Sequence, residues 1–174
     1  MLMIEGRMAT ELSVQIVYPT EQDFAGFREV LGCVAKERVH IEMIEAPPIE
    51  RLARFQQGLI DRNAPVYYAV HDSRVIGWCD ITPQENPRQR HRGSLGMGLL
   101  APYRGQGVGS KLLQTTLSHA KRFGLEKVEL HVYTSNLPAI VLYQKFGFVQ
   151  EGLIRKYRRL DGIDFDCLAM AKFL

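Results

Sequence analysis

The stretch Arg104-Gly105-Gln106-Gly107-Val108-Gly109 decides how this chain is read. It follows a short apolar run interleaved with glycine (95–100) and opens a segment in which apolar residues recur at helical spacing. A strand, a glycine turn and a helix start in that order build an anion site. The first N–H groups of a helix have no partner within it, and the helix dipole adds partial positive charge there. Glycines at 105, 107 and 109 remove the β-carbons that would hold a phosphate away from those amides. The order implies a phosphorylated cofactor, against the plainer alternative of a tight strand-to-helix connection. No Gly-Lys-Ser/Thr closes the stretch, so it is not a Walker loop, and Gly-x-Gly-x-Gly is not the dinucleotide spacing.

Working outward, a second block lies about thirty residues downstream: Asn136-Leu137-Pro138-Ala139-Ile140-Val141-Leu142-Tyr143-Gln144-Lys145-Phe146-Gly147-Phe148. With both blocks in place the sequence resembles the GNAT superfamily of acyl-CoA-dependent N-acetyltransferases. Positions 104–109 match that family's Arg/Gln-x-x-Gly-x-Gly/Ala loop, and 136–148 match its Asn-x-x-Ala-x-x-x-Tyr-x-x-x-Gly-Phe block. The resemblance runs from about residue 75 to the C-terminus and holds only in outline before that. It implies an α/β (α+β) fold: a mixed, mostly antiparallel sheet with a central parallel βαβ pair, flanked by helices. It also implies acetyl-CoA as co-substrate, with the pantetheine arm between two splayed parallel strands that end at Leu100 and Tyr133. The arm's amides would pair with strand backbone near Leu99. The pyrophosphate would sit on the amides of Arg104, Gly105, Gln106, Gly107, Val108 and Gly109, with Ser110 as a further donor. Val108 also lies on the apolar helix face, which makes it a core residue first. Asn136 would bond the cofactor, cap its helix, or do both.

Acetyl transfer to an amine needs an unprotonated nucleophile, a polarised thioester and a proton for the leaving thiolate. The resemblance places Tyr143 near the thioester sulfur, and a phenol remains a proton donor at pH 7. The alternative is a core aromatic beside Ile140 and Phe146. Many relatives carry a Glu on the strand leading to the loop, but 91–96 (His-Arg-Gly-Ser-Leu-Gly) has none. Asp80, Glu85 and His91 remain as candidate bases, acting directly or through water. A lysine amine near pKa 10.4 is only about a thousandth deprotonated at pH 7, whereas an α-amine near 7.7–8.0 is roughly a tenth free. The missing carboxylate therefore tilts the reading toward an α-amine. The tail from Glu151 to Met170 is similar to members acting on free amino acids and on amino-acid-like herbicides. Arg155 or Lys156 would then hold a substrate carboxylate, unless they are solvated strand charges.

Composition agrees with one soluble domain. At 174 residues the chain can bury an adequate core, and 46% hydrophobic with 24% charged residues is ordinary for a globular protein. No apolar run approaches the roughly 18 residues of a membrane span, and no secretory signal is visible, so a cytoplasmic enzyme is expected. Cys33, Cys79 and Cys167 read as reduced, buried thiols, and neither they nor the five histidines show metal-ligand spacing, so no metal is expected. A net charge of +3 does not point to nucleic acid. The clusters Arg88/Arg90/His91/Arg92 and Arg155/Lys156/Arg158/Arg159 read as solvated faces or as a rim for phosphate or an acidic group. Ile4-Glu5-Gly6-Arg7 before Met8 spells a factor Xa site. Residues 1–7 are therefore set aside as a cloning remnant, with 8–174 as one domain. A homodimer paired through an edge strand fits the resemblance.

Alternation places a first strand at 14–18, and Thr20 with Asp23 starts a helix over 21–38. A second helix starts at Pro47-Pro48, with Pro48 in its first turn. Strands at 66–71 and 75–82 flank a turn at 72–74, and 84–92 reads as a loop. The strand at 95–100, the helix from 108 to its stop at Gly124 and the strand near 128–132 form a βαβ unit. A short helix follows Asn136, and strands near 148–154 and 165–171 are joined by Asp161-Gly162. The expected activity is direct, acetyl-CoA-dependent N-acetylation of a small primary amine, an amino acid or analogue. The alternatives are acetylation of a protein N-terminus or lysine, and a non-catalytic acyl-CoA-binding module.

Overall fold

The computed structural model describes residues 13–174, and the suspected remnant at 1–7 lies outside them. Seven strands make one sheet in the order β1-β2-β3-β4-β5-β7-β6. They are β1 (Gln15–Val17), β2 (Val66–His71), β3 (Arg74–Pro83), β4 (Arg92–Leu99), β5 (Lys127–Tyr133), β6 (Val149–Leu160) and β7 (Ile163–Phe173). Every neighbouring pair is antiparallel except β4 and β5. That parallel pair is bridged by α3 (Val108–Phe123), the kind of crossover that two parallel neighbours need. Mixed strands, a central parallel pair and flanking helices are the architecture that the resemblance implies.

Alternation along the strands divides the core in two. On one face α3, α4 (Leu137–Lys145) and the turn after α4 pack Leu112, Leu113, Ile140 and Phe148 against Cys79, Ile81, Val128, Leu130 and Met170. On the other, α1 (Phe24–Lys36) and α2 (Ile49–Asp61) pack Phe27, Leu31 and Leu59 against Val66, Tyr68 and Trp78. Residues 37–48 join α1 to α2, and Ile41 and Ala46 from this connection pack against the second core.

Several boundaries differ from expectation. β4 starts at Arg92, because its polar beginning pairs on both sides, with Pro83 through Gly93 and with Lys127. The first helix begins as a 3-10 turn, Glu21–Asp23, where Asp23 accepts from Thr20 N (2.8 Å) and Thr20 Oγ1 (3.0 Å), and α1 ends at Lys36. Pro48 is the N-cap of α2 and lies outside its first turn. Within 84–92 a 3-10 turn forms at Pro87–Gln89. β6 runs six residues past 154, because its register shifts between Ile154 and Arg158, where four residue steps face two on β7. Cys33 is exposed, whereas Cys79 and Cys167 are buried. No helix among the described residues is long and apolar enough to cross a membrane.

Candidate active site

β4 and β5 pair only at Arg92–Lys127, Gly93–Val128 and Ser94–Glu129, and then part. From Leu95 to Leu99 the β5-facing edge of β4 has no strand partner, although β3 covers the other edge as far as Leu99. A strand edge left open in the middle of a sheet presents unpaired N–H and C=O groups. The divergence widens into a cleft of about 1650 Å³ that runs from the glycine loop across the sheet to the wall made by 40–48.

At one end of the cleft stands the loop. Gly105 (φ 73°) and Gly107 (φ 81°) occupy the left-handed region that only glycine enters freely. Gly107 is the N-cap of α3, so by helix geometry the amides of Val108, Gly109 and Ser110 have no intrahelical partner. Gly105, Gly107, Gly109 and Ser110 line the cleft, whereas Val108 is buried in the α3 core. Gly109 does not share the positive φ, and a β-carbon there would lie 3.5 Å from Leu142 Cδ2, an ordinary contact. What Gly109 offers the cleft is its amide. Gln106 turns its side chain back to Pro102 O (2.7 Å). The Arg104 guanidinium is engaged elsewhere: Nε donates to Leu99 O (2.8 Å), and Nη1 and Nη2 grip Glu37 at 2.8 and 2.7 Å. That grip holds the Glu37 carboxyl below its ordinary range. Arg104 thus ties the loop to the end of α1. Leu99 lines the cleft, but Leu100 does not, and its amide is spent on Ile76 O (2.9 Å).

In the middle of the cleft lies Tyr143, buried on α4 against Phe148 and still part of the lining. Burial raises its hydroxyl well above the ordinary range, with the nearby Cys79 thiol adding to the effect, so the phenol keeps its proton. Asn136 caps α4 by accepting from Ala139 N (3.4 Å) and also lines the cleft.

On the other face of the sheet is Asp80. It alternates with Cys79 and Ile81 and so faces the α1/α2 side, where it is buried and lines the cleft. Burial pushes its carboxyl up to about 7, against a lowering hydrogen bond from Thr82 Oγ1 (3.3 Å). No basic side chain pairs with it among the described residues. Glu129, on the same face, is paired with Lys127 (3.0 Å) and Arg92 (3.5 Å). The strand opposite makes room for this face. Trp78 and Asp80 lie across Gly98 and Gly96, and a β-carbon at Gly98 would come within 2.3 Å of the Trp78 ring.

The other candidates are elsewhere. Glu85 and His91 are exposed and do not line the cleft, and the His91 carbonyl accepts from Glu126 N (2.8 Å) and Lys127 N (3.1 Å). Arg155 and Lys156 are exposed on β6 outside it, with Lys156 Nζ 3.4 Å from Asp164. Three cleft residues escape a reading of motifs. Glu42 comes from the α1–α2 connection, His131 from β5 and Tyr157 from β6, and the Tyr157 hydroxyl touches both of the others. The alternation of Val128, Leu130 and Val132 already puts His131 on the opposite face. Glu42 and Tyr157 carry no such signal, because a connection and a bulge deliver them.

Comparison with known proteins agrees with this geometry. The Acetyltransferase (GNAT) family profile matches residues 29–148. The chain is 27% identical to the L-amino acid N-acetyltransferase AaaT of Escherichia coli over 162 residues, 91% of this chain and 97% of that protein. It superposes on the GNAT-family acetyltransferase of Streptococcus pneumoniae with a TM-score of 0.86 at 26% identity, covering 92% of this chain and 99% of the other. The fold also matches a phosphinothricin acetyltransferase from Sinorhizobium meliloti solved with acetyl-CoA, with a TM-score of 0.86 at 18% identity over 92% and 88% of the two chains. With the family profile covering most of its length, this chain belongs to the GNAT family of acetyltransferases.

Proposed function

We propose that the protein transfers the acetyl group of acetyl-CoA directly to the primary amine of a small molecule, an amino acid or a close analogue. The observation that carries this reading is the parted β4/β5 edge, with a phosphate-binding helix start at one end and an unpaired, buried carboxylate at the other. The pyrophosphate sits on the amides that open α3, and the pantetheine arm completes the free edge of β4. The thioester then lies between Tyr143 and Asp80.

Asp80 takes the proton that the amine must lose. A carboxylate poised near 7 accepts that proton at neutral pH far better than one near 4. The amine attacks the carbonyl carbon, the C–S bond breaks, and the Tyr143 hydroxyl gives its proton to the departing sulfur. The kinship with an L-amino acid N-acetyltransferase supports an amino-acid acceptor. Free-thiol release from acetyl-CoA is the test, measured across amino acids, polyamines, aminoglycosides and peptides with the melting temperature followed alongside. Turnover with amino acids and a rise in melting temperature with acetyl-CoA are expected. Turnover restricted to peptides moves the acceptor to proteins, and stabilisation without any turnover leaves a binding module.

A further inference from the structure

The sheet register carries the acceptor site further than the motifs do. Asp80 on β3 is paired with Gly96 on β4. The last β4–β5 pair is Ser94–Glu129, so two residues on along each strand bring Gly96 level with His131. Two steps preserve the face of a strand, so Asp80, Gly96 and His131 form one row on the side away from α3, and all three line the cleft. The middle member has no side chain, and the two strands part at this level. The row is therefore a carboxylate and an imidazole with an open glycine floor between them.

The imidazole is set by two residues outside the row. Tyr157 has one hydroxyl proton, and it donates that proton to Glu42 Oε1. Its oxygen also lies 3.3 Å from His131 Nδ1. With the hydroxyl proton committed to Glu42, the contact is a hydrogen bond only if Nδ1–H donates to the Tyr157 oxygen. In the neutral ring that tautomer leaves Nε2 as a bare lone pair. No other side-chain hydrogen bond to His131 is formed among the described residues. Tyr157 reaches this place through the register shift in β6. Lys156 there takes a left-handed φ of 51°, its amide held by Asp166 Oδ1 at 2.7 Å. A bulge that re-aims one side chain into a cleft is a recurrent device beside active sites.

We propose that the acceptor amine lies on Gly96 between Asp80 and His131, with one N–H donated to the Asp80 carboxylate and the other to His131 Nε2. Tyr157 and Glu42 act as positioning residues that hold His131 in its accepting tautomer. The proton leaves to Asp80, and the nitrogen lone pair is directed at the thioester. The ligand class is an unhindered primary amine, which has the two N–H groups this cradle reads. A fully substituted nitrogen has neither. The inference rests on the N-acetyltransferase reading above.

The test uses the whole chain, with thiol release measured on the best amine and acetyl-CoA affinity measured separately by calorimetry. His131→Ala should lower kcat/KM for the amine by about 10- to 100-fold and leave acetyl-CoA affinity unchanged. His131→Gln, whose amide oxygen stands near the place of Nε2, should recover part of the loss, which a merely structural role would not predict. Tyr157→Phe should fall between wild type and His131→Ala. Gly96→Ala would put a β-carbon 3.4 Å from Asp80 Oδ1, on the cradle floor, and should weaken the amine side in the same way. Near-wild-type kcat/KM in His131→Ala, while the wild type acetylates amines, overturns this inference and spares the reading beneath it. A wild type that acetylates no amine overturns both.

Discussion

The two ends of the cleft are built in opposite ways. The cofactor end is contiguous: seven consecutive residues, 104–110, turn through two left-handed glycines and present backbone amides. The end proposed to take the acceptor is assembled from Glu42, Asp80, Gly96, His131 and Tyr157, which come from five separate segments. Backbone groups bind phosphate whatever their side chains, so a short stretch can make the first end by itself. The second end needs particular side chains on one face, and only sheet register brings them together. The first end is thus a local property of the chain, and the second a property of the whole fold.

This difference predicts how each end fails. The largest effect is expected where the two ends meet. Tyr143→Phe keeps the ring and its packing on Phe148, so a core tyrosine would leave turnover nearly unchanged. As the proton donor to sulfur, its loss should lower kcat and kcat/KM together by about 10²–10⁴-fold, with acetyl-CoA affinity little changed. Stopped thiol release beside intact calorimetric binding is the expected pair of results. Near-wild-type turnover in a folded variant returns the proton to water.

Next comes the loop itself. Gly107→Val forces a β-branched residue to φ near 81°, at a cost of about 1–2 kcal/mol, and sets a side chain where phosphate approaches. Acetyl-CoA affinity should fall by at least about tenfold while the acceptor side of the sheet is untouched. Unchanged affinity would remove the phosphate role from this loop.

A smaller effect is expected at Arg104, which sharpens the comparison because its guanidinium is spent on protein partners. Arg104→Gln should destabilise by about 1 kcal/mol or less, since the ion pair is about one-third exposed, and should affect cofactor affinity less than Gly107→Val does. The sign with pH is fixed. Glu37 is held below its ordinary range, so the pair's contribution is present above the unfolded carboxylate pKa and is lost as pH falls through the depressed folded value. Wild type and variant should therefore converge in denaturant stability at acid pH. A variant that loses acetyl-CoA as completely as Gly107→Val would put Arg104 on the phosphate after all.

The same contrast explains what the sequence made legible. The βαβ unit, the helix start at Gly107 and the cap at Asn136 follow from local rules of spacing, glycine conformation and capping, and all three stand in the structure. Tyr143 could be singled out as a candidate because its block is contiguous. Among the base candidates, Asp80 could be separated from Glu85 and His91 only by burial, since three residues with a basic or acidic side chain look alike until one is placed inside. The resemblance in the tail offers Arg155 or Lys156 either as a carboxylate anchor or as solvated strand charge. The β6 register shift sends them outward and brings Tyr157 inward, and a bulge of that kind leaves no period to read.

Asp80 offers the most direct test of the acceptor end. Its folded pKa, about 7, lies above the unfolded value near 3.9. At this group the native state therefore binds more protons across that window, and the contribution of Asp80 to stability falls as pH rises from about 4 to about 7, then levels off. Asp80→Asn removes the buried charge and keeps the shape. At pH 8 it should raise the melting temperature, by a gain on the order of 1–4 kcal/mol, while lowering kcat for amine acetylation by about 10²-fold or more and leaving acetyl-CoA affinity unchanged. Stability gained and turnover lost in one variant is the result this account predicts. A less stable Asp80→Asn protein with turnover intact would contradict it, making Asp80 a structural carboxylate and leaving the acceptor end without its base.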